Sequence, residues 1–261
     1  MTQIGDSSAR IRVTGAGAEA PTFLVSWSAL SDLGKKRKVN EDSVVATPPI
    51  FAVADGMGGH AAGDIASAAV VNRLGAVSGE PFTTGDVIDE ALLRALEDID
   101  VVGDANERGT GTTVTGVALT QLDGHPTWAI FNIGDSRVYL YESASLERLT
   151  IDHSVVQELV DAGLITAEQA ETHPDSNIIT RAVGFHETPA PDYSTLAVAA
   201  GQRFLVCSDG LTKELTDHGI AHYLAISVTA EDAARSLVEA ALSNGGRDNV
   251  TVLVIDVELA E

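Results

Sequence analysis

Short runs rich in Val, Ile, Thr and aromatic residues recur along the chain without alternating strictly with helical segments. They lie at residues 23–28, 50–54, 112–119, 127–132, 136–141, 203–208 and 250–257, and Gly, Asp, Asn or Pro interrupt them. Apolar residues recur at i, i+3, i+4 spacing in three stretches, residues 61–74, 86–99 and 231–242, which predicts helices there. Thr83-Thr84-Gly85-Asp86 supplies capping residues before the second. A doubly wound parallel sheet would need a helical crossover between consecutive strands. Here residues 127–132 and 136–141 are separated only by a short link containing Gly134-Asp135, which predicts an antiparallel hairpin with Asp135 in its turn. The expected class is α+β with antiparallel sheets.

With 261 residues, 44% of them hydrophobic, the chain can bury a large core. Residues 1–21, rich in Gly, Ala and Ser, predict a mobile N-terminal arm, with one domain over residues 22–261. Sixteen Lys and Arg against 38 Asp and Glu give 16 − 38 = −22. That balance argues against nucleic acid as the main partner, because phosphate-backbone binding needs clustered basic side chains. The single cysteine, Cys207, precludes an internal disulfide and fits a reducing compartment. The N-terminal residues lack a basic start and apolar core, so no secretory signal is read. No wholly apolar run approaches the roughly 18 residues that span a bilayer. The expectation is a cytoplasmic monomer. Residues 152–184 form a polar insert, with Val155, Val156, Leu159 and Val160 at helical spacing and a second helix start at Thr166-Ala167-Glu168-Gln169. It is either a lid or substrate platform, or a surface excursion.

Four aspartates sit at the rims of apolar runs. Asp55 and Asp209 each end a run and precede a glycine, Gly56 and Gly210. Asp248 lies in Gly245-Gly246-Arg247-Asp248-Asn249, and Asp135 lies beside Gly134. A single Asp-Gly pair is ordinary turn chemistry. Four such carboxylates could also converge at one sheet edge, where hard divalent cations take oxygen ligands and offset the repulsion. Zinc is not indicated, with one cysteine and no ligand spacing among seven histidines. Neither a phosphate-binding Gly-x-x-x-x-Gly-Lys loop nor a Gly-x-Ser-x-Gly elbow occurs. Lys35-Lys36-Arg37-Lys38 concentrates positive charge just before Asn40-Glu41-Asp42. Against an acidic background this run attracts anions, and an Arg fork grips phosphate bidentately. Cation-binding oxygens with an arginine outline a phosphoryl-transfer site.

These residues stand in motifs that resemble those of the metal-dependent, type 2C protein phosphatases. The motifs are Arg37-Lys38-Val39-Asn40-Glu41-Asp42-Ser43, Val53-Ala54-Asp55-Gly56-Met57-Gly58-Gly59-His60 and Gly109-Thr110-Gly111-Thr112-Thr113. Further along come Asn132-Ile133-Gly134-Asp135-Ser136-Arg137, Thr150-Ile151-Asp152-His153-Ser154 and Ile179-Thr180-Arg181-Ala182-Val183-Gly184. Cys207-Ser208-Asp209-Gly210-Leu211 and Arg247-Asp248-Asn249-Val250-Thr251 complete the family's order, over about residues 23–257. The form is the compact bacterial one.

The resemblance implies a four-layer sandwich of two antiparallel β-sheets flanked by helices, with residues 152–184 as a small helical flap. It implies hydrolysis of phosphoserine and phosphothreonine on proteins, with two or three Mn²⁺ or Mg²⁺ ions. Asp55 would bridge two metals, the Gly56 carbonyl would contact one, and Asp209 and Asp248 would complete the other's shell. Glu41 and Asp42 would act behind them through water, Arg37 would hold the substrate phosphate, and Asp135 with Asp209 would hold a third metal. A water bridging two such ions is acidified towards a pKa of roughly 7 and can attack phosphorus in line. The partners implied are phosphorylated proteins, substrates of a Ser/Thr kinase, in signalling.

Met57 stands where eukaryotic members carry a proposed general-acid histidine, so that role does not transfer; His60 is an alternative acid or a structural residue. His153 is expected to be a structural contact at the flap base, and Cys207 a buried core residue. Two competing readings are a phosphoprotein-binding scaffold that has lost catalysis and an acidic Ca²⁺-binding structural protein. Loss of a metal-site aspartate would mark the first, and none is lost; the second lacks an EF-hand loop.

Overall fold

A computed structural model describes residues 1–16, 21–58, 62–77, 80–103 and 109–260. The chain opens with strands β1 (Gln3–Gly5), β2 (Ser8–Thr14), β3 (Thr22–Asp32), β4 (Asp42–Thr47) and β5 (Ile50–Gly58), followed by helices α1 (Gly63–Gly75) and α2 (Gly85–Gly103). Strands β6 (Thr110–Thr112), β7 (Val114–Leu122), β8 (His125–Ile133), β9 (Arg137–Glu142) and β10 (Ser145–Arg148) come next. The insert contributes α3 (Val155–Asp161) and α4 (Ala167–Glu171) and ends on β11 (Val183–Gly184). The last part holds β12 (Asp192–Ala197), β13 (Arg203–Cys207), α5 (Asp209–Thr212), α6 (Asp217–Ile226), α7 (Ala230–Asn244) and β14 (Val250–Leu259).

Two sheets result, as expected. One runs β1-β4-β5-β7-β8-β12, with β6 and β11 attached beside β5. The other runs β10-β9-β13-β14-β3-β2. All pairings are antiparallel except β1 with β4 at an edge. Period-two alternation divides each apolar run between two cores. Along β5, Phe51 and Val53 face the other sheet, whereas Ile50, Ala52 and Ala54 face α1 and α2. Along β14, Leu253, Ile255 and Val257 face inward, and Val250, Val252 and Val254 face α5, α6 and α7. Burial on both faces explains why these strands read as continuous apolar runs. Between the sheets, Trp27, Phe51, Trp128 and Phe204 stack edge-to-face, with successive centroids 5.1, 6.3 and 5.2 Å apart.

The three expected helices form. α2 buries Ile88, Leu92, Ala95 and Ile99, one face at helical spacing. α7 is capped by Thr229, whose side chain accepts from the Asp232 backbone N–H at 3.1 Å. The second helix of the insert starts where Thr166 predicts, closed by a reciprocal capping box with Gln169.

Two expectations fail. Residues 1–21 are not a mobile arm through their described part: β1 pairs in parallel with β4, and β2 pairs along β3 from Ser8↔Ser28 to Thr14↔Thr22. Alternating Ile11 and Val13 pack inward, and so short an alternation is easily lost among Gly, Ala and Ser. Nor do residues 127–132 and 136–141 form a hairpin. β8 pairs with β7 and β12, whereas β9 pairs with β10 and β13, so Gly134-Asp135 is a crossing from one sheet to the other. The actual hairpin lies just upstream, where β7 and β8 join through Asp123 and Gly124 with φ of 51° and 80°. Left-handed φ at both central residues matches the twist of an antiparallel pair.

Candidate metal centre

Strands β5, β8 and β13 run toward one edge of the sandwich, and β4, β9 and β14 leave from it. The expected carboxylates therefore gather there from both sheets. Asp42 opens β4 directly opposite Asp55 in the β4–β5 register. Asp135 occupies the crossing, Asp209 follows β13, and Asp248 precedes β14.

The Asp55 backbone is clamped on both sides. Its N–H donates to Thr113 Oγ1 at 3.0 Å, and its carbonyl accepts from Thr113 N and Thr112 Oγ1, each at 2.9 Å. Here the Gly-Thr-Gly-Thr-Thr motif finds its use. Gly56 and Gly210 answer to close approach. A Cβ would lie 2.0 Å from the Gly63 carbonyl oxygen at the first and 1.8 Å from that of Asn249 at the second. The glycines after Asp55 and Asp209 are thus packing requirements, beyond turn chemistry.

Asp42 is fully buried and ties the two sheets together. Its Oδ2 accepts from Ser208 Oγ at 2.8 Å and Thr251 Oγ1 at 2.7 Å, while its Oδ1 has no partner. Burial first, and then the charges of Asp209 and Asp248, push its carboxyl up to about 7 against the pull of those two hydroxyls. Asp55 is raised well above the usual carboxylate range by burial and by Asp42, Asp209, Asp135 and Asp248. Asp135 is pushed up to about 7 by burial and by Asp209 and Asp152, with Lys213 opposing. Glu41 is raised by burial, with Arg37 opposing; its N–H donates to Asn249 Oδ1 at 2.9 Å.

Two cations face this cluster. Arg37, half-exposed, forks onto Asp248, with Nε 2.7 Å from Oδ1 and an Nη 2.8 Å from Oδ2, and lies 3.8 Å from Glu41. Burial works against its charge, but the Asp248 hydrogen bond and its acidic neighbours raise its pKa. Lys213 pairs with Asp209 Oδ2 and stands 3.6 Å from Asp248 Oδ2. Among the described residues no three His, Cys, Asp or Glu side chains are gathered as a ready-made coordination shell, because Asp209 and Asp248 are turned to Lys213 and Arg37. The donor set nevertheless suits a hard divalent cation. It is all oxygen, it is short of positive charge, and it includes unpartnered buried oxygens on Asp42 and Asp209.

The insert is stapled to the crossing. His153 Nδ1 accepts from the Gly134 N–H at 3.1 Å, and its Nε2 donates to Asp192 at 3.1 Å, which makes it the structural contact expected. Arg137 adds a bidentate pair with Asp152. Cys207 is buried in β13, and burial pushes its thiol up to about 12. His60 and Gly59 lie outside the described residues; Met57 lies on β5 opposite Gly111. Two residues escaped the sequence reading. Lys213 stands four residues after Asp209, a spacing that would have signalled it once a helix was recognised there. Asp64, in the first turn of α1, has a buried and unpartnered Oδ1 and was not singled out by the sequence reading.

An α-β-β-α sandwich carrying an all-oxygen carboxylate centre at one edge defines the class, an α+β metal-centre fold. The chain belongs to the protein phosphatase 2C family, whose model matches residues 35–244. It is 41% identical over 241 residues to the serine/threonine protein phosphatase PstP of Mycobacterium tuberculosis, covering 90% of this chain and 46% of that protein. The chain thus spans about half the length of that relative. Protein phosphatase PhpP of Streptococcus pneumoniae is 37% identical over 239 residues, covering 87% of this chain and 96% of that one. The catalytic domain of PstP in complex with two manganese ions superposes with a TM-score of 0.81 at 38% identity, covering 90% of this chain and 99% of that domain.

Proposed function

We propose that this chain is a metal-dependent phosphatase that hydrolyses phosphoserine and phosphothreonine on proteins. The convergence of Asp42, Asp55, Asp135, Asp209 and Asp248 from both sheets onto one edge carries the reading. Mn²⁺ or Mg²⁺, when bound, supplies Lewis acidity and an acidified water. Asp55, the Gly56 carbonyl, Asp209 and Asp248 would hold the ions. Asp42 and Glu41 would brace the cluster from behind, and Asp135 with Asp209 would hold a further ion. Arg37 exchanges Asp248 for the substrate phosphate, presenting the same fork to two phosphoryl oxygens and offsetting charge that develops there. Lys35, Lys36 and Lys38 raise the local concentration of phosphorylated segments, and the flap over residues 152–184 receives the polypeptide around the phosphorylated residue. None of the described helices is long and apolar enough to cross a membrane. The lone reduced-type Cys207 and the acidic surface support a cytoplasmic monomer that opposes a Ser/Thr kinase in signalling.

The test is turnover of para-nitrophenyl phosphate and of a phosphothreonine peptide with Mn²⁺, with Ca²⁺, and after EDTA. Hydrolysis of both substrates with Mn²⁺ alone is expected. Turnover that survives EDTA, or none with any divalent ion, would overturn the assignment.

A further inference from the structure

Asn249 follows Asp248 directly, is 4% exposed, and directs its whole amide at the loop between β3 and β4. Its Nδ2 donates to the Leu33 carbonyl at 2.9 Å and to the Val39 carbonyl at 3.1 Å. Its Oδ1 accepts from the Glu41 N–H at 2.9 Å. Both amide hydrogens and the amide oxygen are matched, and a flipped amide would set donor against donor. Lys35-Lys36-Arg37-Lys38 lies between the two carbonyls that share Nδ2, so one buried side chain closes the loop that carries the basic run. The backbone adds two contacts from the same side. The Lys35 N–H donates to the Gly246 carbonyl at 2.7 Å. Gly34, with φ of 75°, approaches Asp248 so closely that a Cβ would lie 2.1 Å from the Asp248 carbonyl oxygen. The loop is thus moored on the residues that present Asp248, and Arg37 forks onto Asp248 from within it.

We propose that Asn249 is a positioning residue for the phosphate: by tying Leu33, Val39 and Glu41 together it holds Arg37 beside the carboxylate centre, ready to receive two phosphoryl oxygens. This rests on the reading of Arg37 as the phosphate ligand given above. When Arg37 gives up Asp248 for phosphate, the loop loses its side-chain tether at that point, and the Asn249 bonds keep it from opening. A fork on a loose loop must be ordered again at each binding event, which weakens binding without altering the charge it brings. In this role the Asn249 side chain acts through the loop and touches neither phosphate nor ion.

Inorganic phosphate as an inhibitor of para-nitrophenyl phosphate turnover with Mn²⁺ reads the effect on binding, and trypsin in EDTA reads the loop without metal. Asn249→Ala should raise the phosphate inhibition constant at least about fivefold, the scale of a lost hydrogen bond. It should raise KM more than it lowers kcat. In the Arg37→Ala background the same change should add less than about twofold, because the two residues act on one contact. Asn249→Ser, whose hydroxyl cannot span both carbonyls, should behave in the same way and stands in if the alanine variant does not fold. In EDTA, trypsin should cut within Lys35-Lys36-Arg37-Lys38 faster in either variant than in the wild type, with cleavage elsewhere unchanged. Leu237→Ala, a buried change on α7, is the control for lost stability and should leave the phosphate constant alone. If Arg37→Ala raises that constant while both Asn249 variants leave it unchanged, or if the Asn249 effect persists in full without Arg37, the inference falls and the phosphatase reading stands. Cleavage that rises equally along the chain, or a matching phosphate defect in Leu237→Ala, makes Asn249 a residue of the fold only and also overturns it. No effect of Arg37→Ala, or no Mn²⁺-dependent turnover in the wild type, overturns the reading of the site itself, and this inference with it.

Discussion

At the scale of single residues the centre trades stability for function. Asp55 is held above the usual carboxylate range by burial and four acidic neighbours, so its charge is a cost to the fold until a cation offsets it. Asp55→Asn should therefore cut kcat by at least about a hundredfold, the scale on which a disturbed metal shell is felt. The same change should raise the melting temperature of the metal-free protein. Kinetics and thermal melts in EDTA check both halves, and a metal-free melt no higher than wild type would show that the cluster is not strained. The pH dependence has a definite sign. Asp42 and Asp135 titrate near 7 when folded, well above an unfolded aspartate near 3.8. The folded state thus binds more protons between those values. Stability is fully present below about pH 4 as far as these groups are concerned, and is lost as pH rises through 7. In EDTA the melting temperature should fall from pH 5 to pH 8, and saturating Mn²⁺ should flatten that slope; a metal-free protein more stable at pH 8 would contradict the shifts.

At the scale of elements, the flap and the crossing explain how a loop-borne site is made firm. The stem closes through the Ser154↔Ile179 bridge and the Thr180 N–H to the His153 carbonyl at 2.8 Å, and His153 then anchors it to Gly134. Beyond the stem, α3 buries no residue, and Leu164 and Glu168 point to solvent. If the insert receives substrate as proposed, it would meet a polypeptide but not a small ester. Leu164→Ser with Glu168→Ala should change kcat/KM for a phosphopeptide by about 1 kcal/mol, roughly fivefold, and leave para-nitrophenyl phosphate unaffected. Parallel assays on the two substrates decide it, since equal effects would place the flap in the chemistry. The elements differ in how far the residues disclosed them. Strands β5, β13 and β14, buried on both faces, were plain as apolar runs, and α2 and α7 as one-sided helices. α6 was not, because Asp217–Ile226 buries only Ile220 and Leu224 and carries Gly219 among exposed histidines. The partners of β8 and β9 were equally hidden. Spacing alone cannot distinguish a tight hairpin from a short crossing between stacked sheets, and only the pairing of β9 with β13 separates them. The aspartates at the strand ends were legible because their glycine neighbours mark close approach. Lys213 was not, since its i, i+4 relation to Asp209 has meaning only once the four-residue helix α5 is recognised.

At the scale of the whole molecule, a net charge of −22 surrounds a site meant for an anion, and the basic run must overcome that field. Lys35, Lys36 and Lys38 are exposed and flank Arg37 in the sequence, whereas Arg37 itself is paired with the Asp248 carboxylate. The lysines therefore act over distance and the arginine in contact, and salt separates the two. Screening length shrinks from about 30 Å at 0.01 M to about 8 Å at 0.15 M ionic strength. KM for a phosphopeptide should accordingly rise with salt in the wild type. Lys35→Glu with Lys36→Glu should raise KM at low salt by roughly fivefold to tenfold, about 1 kcal/mol or a little more for two exposed charge reversals. That penalty should shrink as salt is added, with kcat nearly constant throughout. Arg37→Ala should differ in kind. On the proposed role it would remove a bidentate contact to the reacting group, so its larger loss should persist at 0.5 M salt. A salt-independent KM in the wild type would show that the lysine run is only a solvated surface, and an Arg37→Ala defect that vanishes in salt would place Arg37 with the lysines rather than on the phosphate.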